Sequence, residues 1–339
     1  MKLTPQELFV MAGKRGASDV HIAAGSPVLL RIDGELKAIS EERVTPEAVL
    51  AFVHDVVGDE RWDRFTEERE IDVSFSVAGG GRLRVNCHFE RGNPGLVARL
   101  VPVEIQTLDA VGLREIAEPL CALHDGLVLF TGPTGSGKST SLAAMLQHIN
   151  QTRAASIITL EDPIEFLFPQ GKSLIRQREC GSDFTSFGEA LKHVLRQDPN
   201  VVMVGEMRDL ETIAAALTLA ETGHLILATL HTPNAAQTVD RIVDIFPPHQ
   251  QAQIRTQLSL SLKTIIAQRL VPGAKNGRIA VREILVNTPA VANIIRDHRL
   301  QELPSVLQTG GNNGMRTFAK DAQRLLREGL ITKEVAEGV

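Results

Sequence analysis

"LVLFTGPTGSGKSTS", residues 127–141, joins an apolar run to a glycine-rich turn and then to a helix-forming segment. Gly132–Ser139 fits G-x-x-x-x-G-K-[ST], and the pattern has physical meaning only between a strand and a helix, which is its setting here. Glycines let backbone N–H groups close on phosphate oxygens, and the first turn of the following helix adds the positive end of its dipole. The nucleotide-binding residues expected on this reading are Gly132, Pro133, Thr134, Gly135, Ser136, Gly137, Lys138, Ser139 and Thr140. Lys138 would reach the β- and γ-phosphates of ATP, and the Ser139 hydroxyl would hold Mg²⁺.

The same half of the chain repeats the alternation. "GLVLFTG" (126–132), "ASIITLED" (155–162), "NVVMVGE" (200–206) and "HLILATLH" (224–231) are short apolar runs separated by helical stretches. Strands apolar on both faces belong to a parallel sheet covered by helices. Ligands of such a sheet sit at the carboxyl ends of its strands. Glu161, Glu165, Glu206 and His231 follow their runs and are expected to gather near the phosphates, where carboxylates can position Mg²⁺ or an attacking water. "VVMVGEMRD" (201–209) is unusual: where a nucleotide-hydrolysing strand commonly ends in Asp, Gly205 stands, and the acid follows as Glu206. Each residue has a plainer alternative. Glu206 could pair with Arg208, Glu161 and Glu165 could cap the next segment, and His224, at a strand start, could be a satisfied structural group.

Residues 1–101 read differently, as a smaller α+β domain. "TPQELFVMAGKRG" (4–16) has helical spacing, and "PVLLRIDGELKAIS" (27–40) reads as two strands around the turn pair Asp33-Gly34. "TPEAVLAFVHDVVGDERWDRFTEE" (45–68) reads as helix, with Thr45 as N-cap and Pro46 at the first helical position. "IDVSFSV", "RLRVNCHFE" and "GLVARLV" read as a meander with turns at "AGGG" (78–81) and "RGNPG" (91–95). Arg82 and Arg84 share one strand face, and Arg99 lies on the next strand. Residues 102–120 read as a linker, 121–339 as the nucleotide-binding domain, and its part from about 250 as all helix.

Composition narrows the function. The 339 residues carry a net charge of −5 and 4% aromatic residues, a poor basis for general nucleic-acid binding, so no nucleic acid is expected. Cys87, Cys121 and Cys180 lie far apart with no C-x-x-C, which indicates neither a zinc site nor a disulfide framework. "MKLTPQELFV" lacks the apolar core of a signal peptide, and no apolar run approaches the roughly 20 residues that span a bilayer. A cytoplasmic protein is expected, with any membrane role exercised through a partner.

The ordered set "GPTGSGKST" (132–140), "TLEDPIEF" (159–166), "GEMRDLETI" (205–213) and "TGHLILATLHT" (222–232) resembles the secretion ATPase superfamily, with its Walker A, Asp box, atypical Walker B and His box. That Walker B carries Gly-Glu, so the resemblance implies Glu206 as catalytic glutamate, with Glu161 and Glu165 supporting water or metal and His224 and His231 on the γ-phosphate side. "GASDVHIAAGSPVLLRIDGEL" (16–36), "ILVNTPAVANIIRD" (284–297) and "VLQTGGNNGMRTF" (306–318) are similar to one branch, the PilT-type pilus retraction ATPases. The resemblance implies a PAS-like N-terminal domain, a RecA-like P-loop motor domain and a homohexamer. It implies ATP hydrolysis that powers type IV pilus retraction, and peripheral association with the inner membrane through a PilC-like platform protein. It also implies arginines of the N-terminal domain brought to the phosphates, Arg84 and Arg99 matching best. Alternatives within the class are a PilU-like accessory ATPase, acting beside a paralogous pilus ATPase, and an assembly ATPase. The longer N-terminal extension and cysteine-based zinc site of assembly ATPases are not visible here. Outside the class stand a RecA-like nucleic-acid motor and a nucleotide-sensing ring. One departure is that Ala292 stands where the branch typically has an arginine.

Overall fold

The computed structural model describes residues 3–77, 81–101, 104–275 and 277–339, in two units. The first comprises residues 1–104 together with 165–167, and the second 105–164 and 168–339.

In the first unit α1 (Pro5–Lys14) leads into β1 (Asp19–Ala23), β2 (Pro27–Ile32) and β3 (Glu35–Arg43). Two helices follow, α2 (Pro46–Val57) and α3 (Asp59–Glu68), then β4 (Glu70–Val77), β5 (Gly81–Glu90) and β6 (Asn93–Leu100). The start of α1 is held by a capping box: Glu7 N–H donates to Thr4 Oγ1 at 3.3 Å, and Thr4 N–H donates to the Glu7 carboxylate at 2.9 Å. Thr45 caps α2 as its sequence suggests, accepting from Ala48 N–H. The segment read as one helix over 45–68 is two, because Gly58 lies at φ +79° between them. Asp33 and Gly34, both at positive φ, turn β2 into β3, as a two-residue hairpin requires. The expected turn at Ala78–Gly80 lies outside the described residues.

The strands form a six-stranded antiparallel sheet in the order β3-β2-β1-β6-β5-β4. Alternation divides its faces. Val20, Leu30, Val73, Leu83, Val85, Leu96 and Ala98 point into a core shared with Leu8, Phe9, Val49, Phe52 and Phe65 of the helices. Register places Arg31, Asp19, Arg99 and Arg84 in one row across β2, β1, β6 and β5. Asp19 is buried and takes a hydrogen bond from Arg99 Nε at 2.8 Å, with Arg31 Nε 3.7 Å away.

The second unit runs α4 (Arg114–Cys121), β7 (Gly126–Thr131), α5 (Lys138–Thr152), β8 (Ser156–Glu161), β9 (Leu174–Glu179), α6 (Phe187–Val194), β10 (Val201–Val204) and α7 (Leu210–Glu221). It continues with β11 (Leu225–Leu230), α8 (Ala235–Asp244), α9 (Pro248–Ser261), β12 (Leu262–Pro272), β13 (Arg278–Val286), α10 (Pro289–Arg296), α11 (Leu303–Thr309), α12 (Phe318–Arg327) and α13 (Lys333–Glu337). The seven-stranded sheet has the order β13-β12-β7-β11-β10-β8-β9, parallel except for the β12–β13 pair. Leu127, Leu129, Val202, Val204, Ile226 and Ala228 bury one face, and Val128, Phe130, Val201, Met203, Leu225 and Leu227 the other. Covered faces explain the unbroken apolar runs.

Two expectations need correction. The region from about 250 is not all helix: "LKTIIAQRLVP" and "RIAVREILV", rich in β-branched residues, form the antiparallel ribbon β12–β13 along the edge of the parallel sheet. The segment read as a linker is largely part of the second unit, with Leu108, Leu113 and Ala117 buried against Leu142, Met145 and Ile149 of α5. Residues 102–103 lie outside the described residues. Among the described residues no helix is long and apolar enough to cross a membrane.

Candidate active site

β7 ends at Thr131 and α5 begins at Lys138, so the loop 132–137 turns at the carboxyl edge of the parallel strands. Two of its glycines are fixed by close approach. Gly132 has φ +137°, and a Cβ there would fall 2.2 Å from the Gln268 carbonyl oxygen. Gly137 has φ +85°, and its Cβ would meet Gln268 Nε2 at 2.8 Å. A side chain at Gly132 would displace the β12 backbone or the loop, and one at Gly137 would be strained at its positive φ and push aside the Gln268 amide. Lys138 is buried and donates from Nζ to the carbonyls of Gly132 at 2.8 Å and Pro133 at 3.1 Å, so its ammonium group lies over its own loop. Pro133, Thr134 and Gly135 are exposed, and Ser139 and Thr140 are half-buried on the first turn of α5. The loop thus offers backbone N–H groups, a cation and a hydroxyl to a phosphate and its hard cation.

Register shows what else reaches that edge. Leu230 pairs with Thr131, Val204 with Ala228 and Leu160, so His231, Glu206 and Glu161 end neighbouring strands level with the loop. Strands are about 4.8 Å apart, so these residues span about 15 Å of edge from β7 to β8. Glu206 is nearly buried, with a side chain 12% exposed. One carboxylate oxygen pairs with Arg208, and the other lies 3.2 Å from His231 Nε2. Pairing with Arg208, one of the plainer alternatives, is therefore real, and it holds the carboxylate at the strand edge. Gly205 stands where the acid commonly falls; its N–H donates to the Leu160 carbonyl, and a Cβ there would approach that oxygen tightly, at 3.2 Å. Glu161 is buried and accepts at Oε1 from Thr159 Oγ1 (2.7 Å) and Gln177 Nε2 (3.0 Å). Glu165 is exposed and groups with the first unit.

His224 does not join this edge. β11 runs parallel to β7, and the residue before it lies beside Gly126, at the opposite end of the sheet about 20 Å from His231. Its Nδ1 lies 3.1 Å from the Leu219 carbonyl, at the C-terminus of α7. It has the structural place that the plainer reading gave it. Among the described residues no group of three or more His, Cys, Asp or Glu side chains could hold a metal by itself. A Mg²⁺ shared between the Ser139 hydroxyl and nucleotide phosphates needs no such group.

Sequence reading missed Gln268 and its partner Arg282, buried at 1% and 3% exposure beneath the loop. The available signal was a lone amide inside the apolar run "IIAQRLV" (265–271).

The sequence pattern of the family described as "Type II/IV secretion system protein" matches residues 2–337. A type IV pilus retraction ATPase of Pseudomonas aeruginosa is 44% identical over 330 residues, covering 97% of this chain and 96% of that protein. A twitching motility protein of Neisseria gonorrhoeae is 44% identical over 321 residues, covering 94% and 86%. The crystal structure of a pilus retraction motor with bound ADP superposes with a TM-score of 0.90 at 44% identity, covering 99% of this chain and 97% of that one.

Proposed function

The chain belongs to the type II/IV secretion system protein family, and we propose that it is an ATP-hydrolysing motor that powers type IV pilus retraction. The observation that carries this reading is full-length likeness to a pilus retraction ATPase in a chain whose phosphate loop, Glu206 and His231 end adjacent strands on one edge. In this reading ATP lies in the loop 132–140, with Lys138 on its phosphates. Mg²⁺, when bound with the nucleotide, would neutralise charge on the phosphate oxygens, and Ser139 is the residue of this chain that would hold it. Glu206, steadied by Arg208 and His231, orients a water and accepts its proton. Glu161 fixes the neighbouring strand end, and Glu165 is a further candidate for metal or water.

The working form is a homohexamer acting on a PilC-like inner-membrane platform protein. Deletion of the gene in its host should leave excess surface pili and abolish twitching. Bald cells would instead make it an assembly motor, and unchanged piliation and twitching would overturn both. Light scattering with Mg²⁺ and a non-hydrolysable ATP analogue should report a mass near six chains of 36.9 kDa. A monomer at micromolar concentration would refute the ring.

A further inference from the structure

Gln268 lies in the middle of β12 and is 1% exposed. A buried amide is costly unless its polar atoms are bonded. Its Nε2 donates to the Ser136 carbonyl at 2.6 Å, and its Oε1 accepts from Ser141 Oγ at 2.9 Å and from Arg282 Nε at 3.0 Å. The first two partners belong to the phosphate loop and the helix that leaves it. In a trans peptide the carbonyl and the next N–H point in opposite directions. Holding the Ser136 carbonyl against Gln268 therefore turns the Gly137 N–H away from the sheet, the orientation a phosphate-binding turn needs.

The third partner leads elsewhere. Arg282 is directly opposite Gln268 in the β12–β13 register and is itself buried. Its Nη1 and Nη2 donate to the carbonyls of Gly112 (3.1 Å) and Val111 (2.7 Å), and its backbone N–H donates to Asp321 Oδ2 at 2.8 Å. Burial pulls its pKa down to about 10, so the guanidinium stays charged at neutral pH. Asp321, on α12 and 1% exposed, also takes Arg316 at 2.8 Å and Arg324 at 2.9 Å. A continuous hydrogen-bonded path thus runs from the loop through Gln268 and Arg282 to Asp321.

We propose that Gln268 is a positioning residue for the phosphate loop and that Arg282 and Asp321 link it to α12, so that nucleotide binding and the packing of α12 are energetically coupled. The proposal rests on reading residues 132–140 as the nucleotide site. It makes the C-terminal helices a place from which a contact in the assembled machine could tighten or loosen nucleotide binding. Coupling of this kind is reciprocal.

Two measurements on the full chain test it. Gln268→Met keeps the volume and removes three hydrogen bonds; ADP affinity should fall by about tenfold or more, read by titration with fluorescent ADP. The control is Asn287→Ala, which removes an amide bonded to the Ser259 and Leu262 carbonyls; it should lower the melting temperature without changing affinity. Wild-type affinity in Gln268→Met overturns the proposal. The second measurement uses the unaltered protein, so it holds if that variant fails to fold. ADP should slow amide exchange across α12, residues 318–327. If ADP binds and exchange in α12 does not change, the coupling is wrong. If the wild type binds no ADP, the nucleotide reading falls with it.

Discussion

Glu206→Gln is expected to bind Mg-ATP normally and to lose turnover by about 10²- to 10⁴-fold, the usual cost of removing a catalytic acid or base. The substitution nearly preserves shape. The carbonyl oxygen of the new amide can still accept from Arg208, and its nitrogen can still meet His231, whose Nε2 lies 3.2 Å from the native carboxylate. What is lost is the negative charge that would take a proton from water. That makes the variant a sharp discriminator. If Glu206 serves only to pair with Arg208, losing the charge of that pair should lower the melting temperature slightly and leave the rate per folded molecule intact. If it is the catalytic base, the rate collapses and affinity for labelled ATP does not. Phosphate release at saturating ATP, set beside that affinity, separates the cases. Near-normal release removes Glu206 from the mechanism.

The sequence announced this edge because burial on both faces leaves a strong mark. β7, β8, β10 and β11 are covered by helices, so they read as unbroken apolar runs, and the first polar residue after each run falls where ligands gather. Caps and turns were equally legible, as at Thr45 and Asp33-Gly34, because their chemistry is local. The edges of the sheet were not. β9, "LIRQRE", is largely half-exposed and carries two arginines, so no apolar run marks it. The β12–β13 ribbon is stabilised by pairing between segments that a local reading takes separately. The Gln268–Arg282 pair depends on that register and could not be seen before it. His224 is a different failure. The direction of β11 was already implied by a parallel sheet, so a residue preceding the run had to lie at the far end. It was the resemblance to the family's His box, not the strand pattern, that set His224 on the γ-phosphate side.

Arg84→Ala should give the other large effect, a loss of turnover on the order of 10³-fold, if an arginine of the first unit stabilises charge on the transferring phosphoryl group, as the family resemblance implies. The sheet singles out Arg84 from its row. Asp19 lies between Arg31 and Arg99 and pairs with both, while among the described residues Arg84 shows no ion pair. Arg84 is directly opposite Arg99, and like charges so placed destabilise a sheet. An arrangement of that kind is offset when an anion arrives, and the planar guanidinium fork suits phosphate oxygens. Arg84→Ala should therefore leave the melting temperature unchanged or slightly raised while turnover falls. Arg99→Ala should behave differently, because it also deprives Asp19 of its nearest cation. Burial opposes ionisation of Asp19, yet hydrogen bonds from Arg99 and Ser18 hold its pKa below the ordinary carboxylate value. A depressed pKa contributes stability above the unfolded carboxylate range and loses it as pH falls through the folded value. Arg99→Ala should thus melt below the wild type at neutral pH, and the gap should close on acidification. Arg15→Ala, an exposed cation at the end of α1, is the control for net charge. If Arg84→Ala turns over ATP as fast as Arg15→Ala, the basic row is a solvated surface and the transition-state charge must be met by other residues.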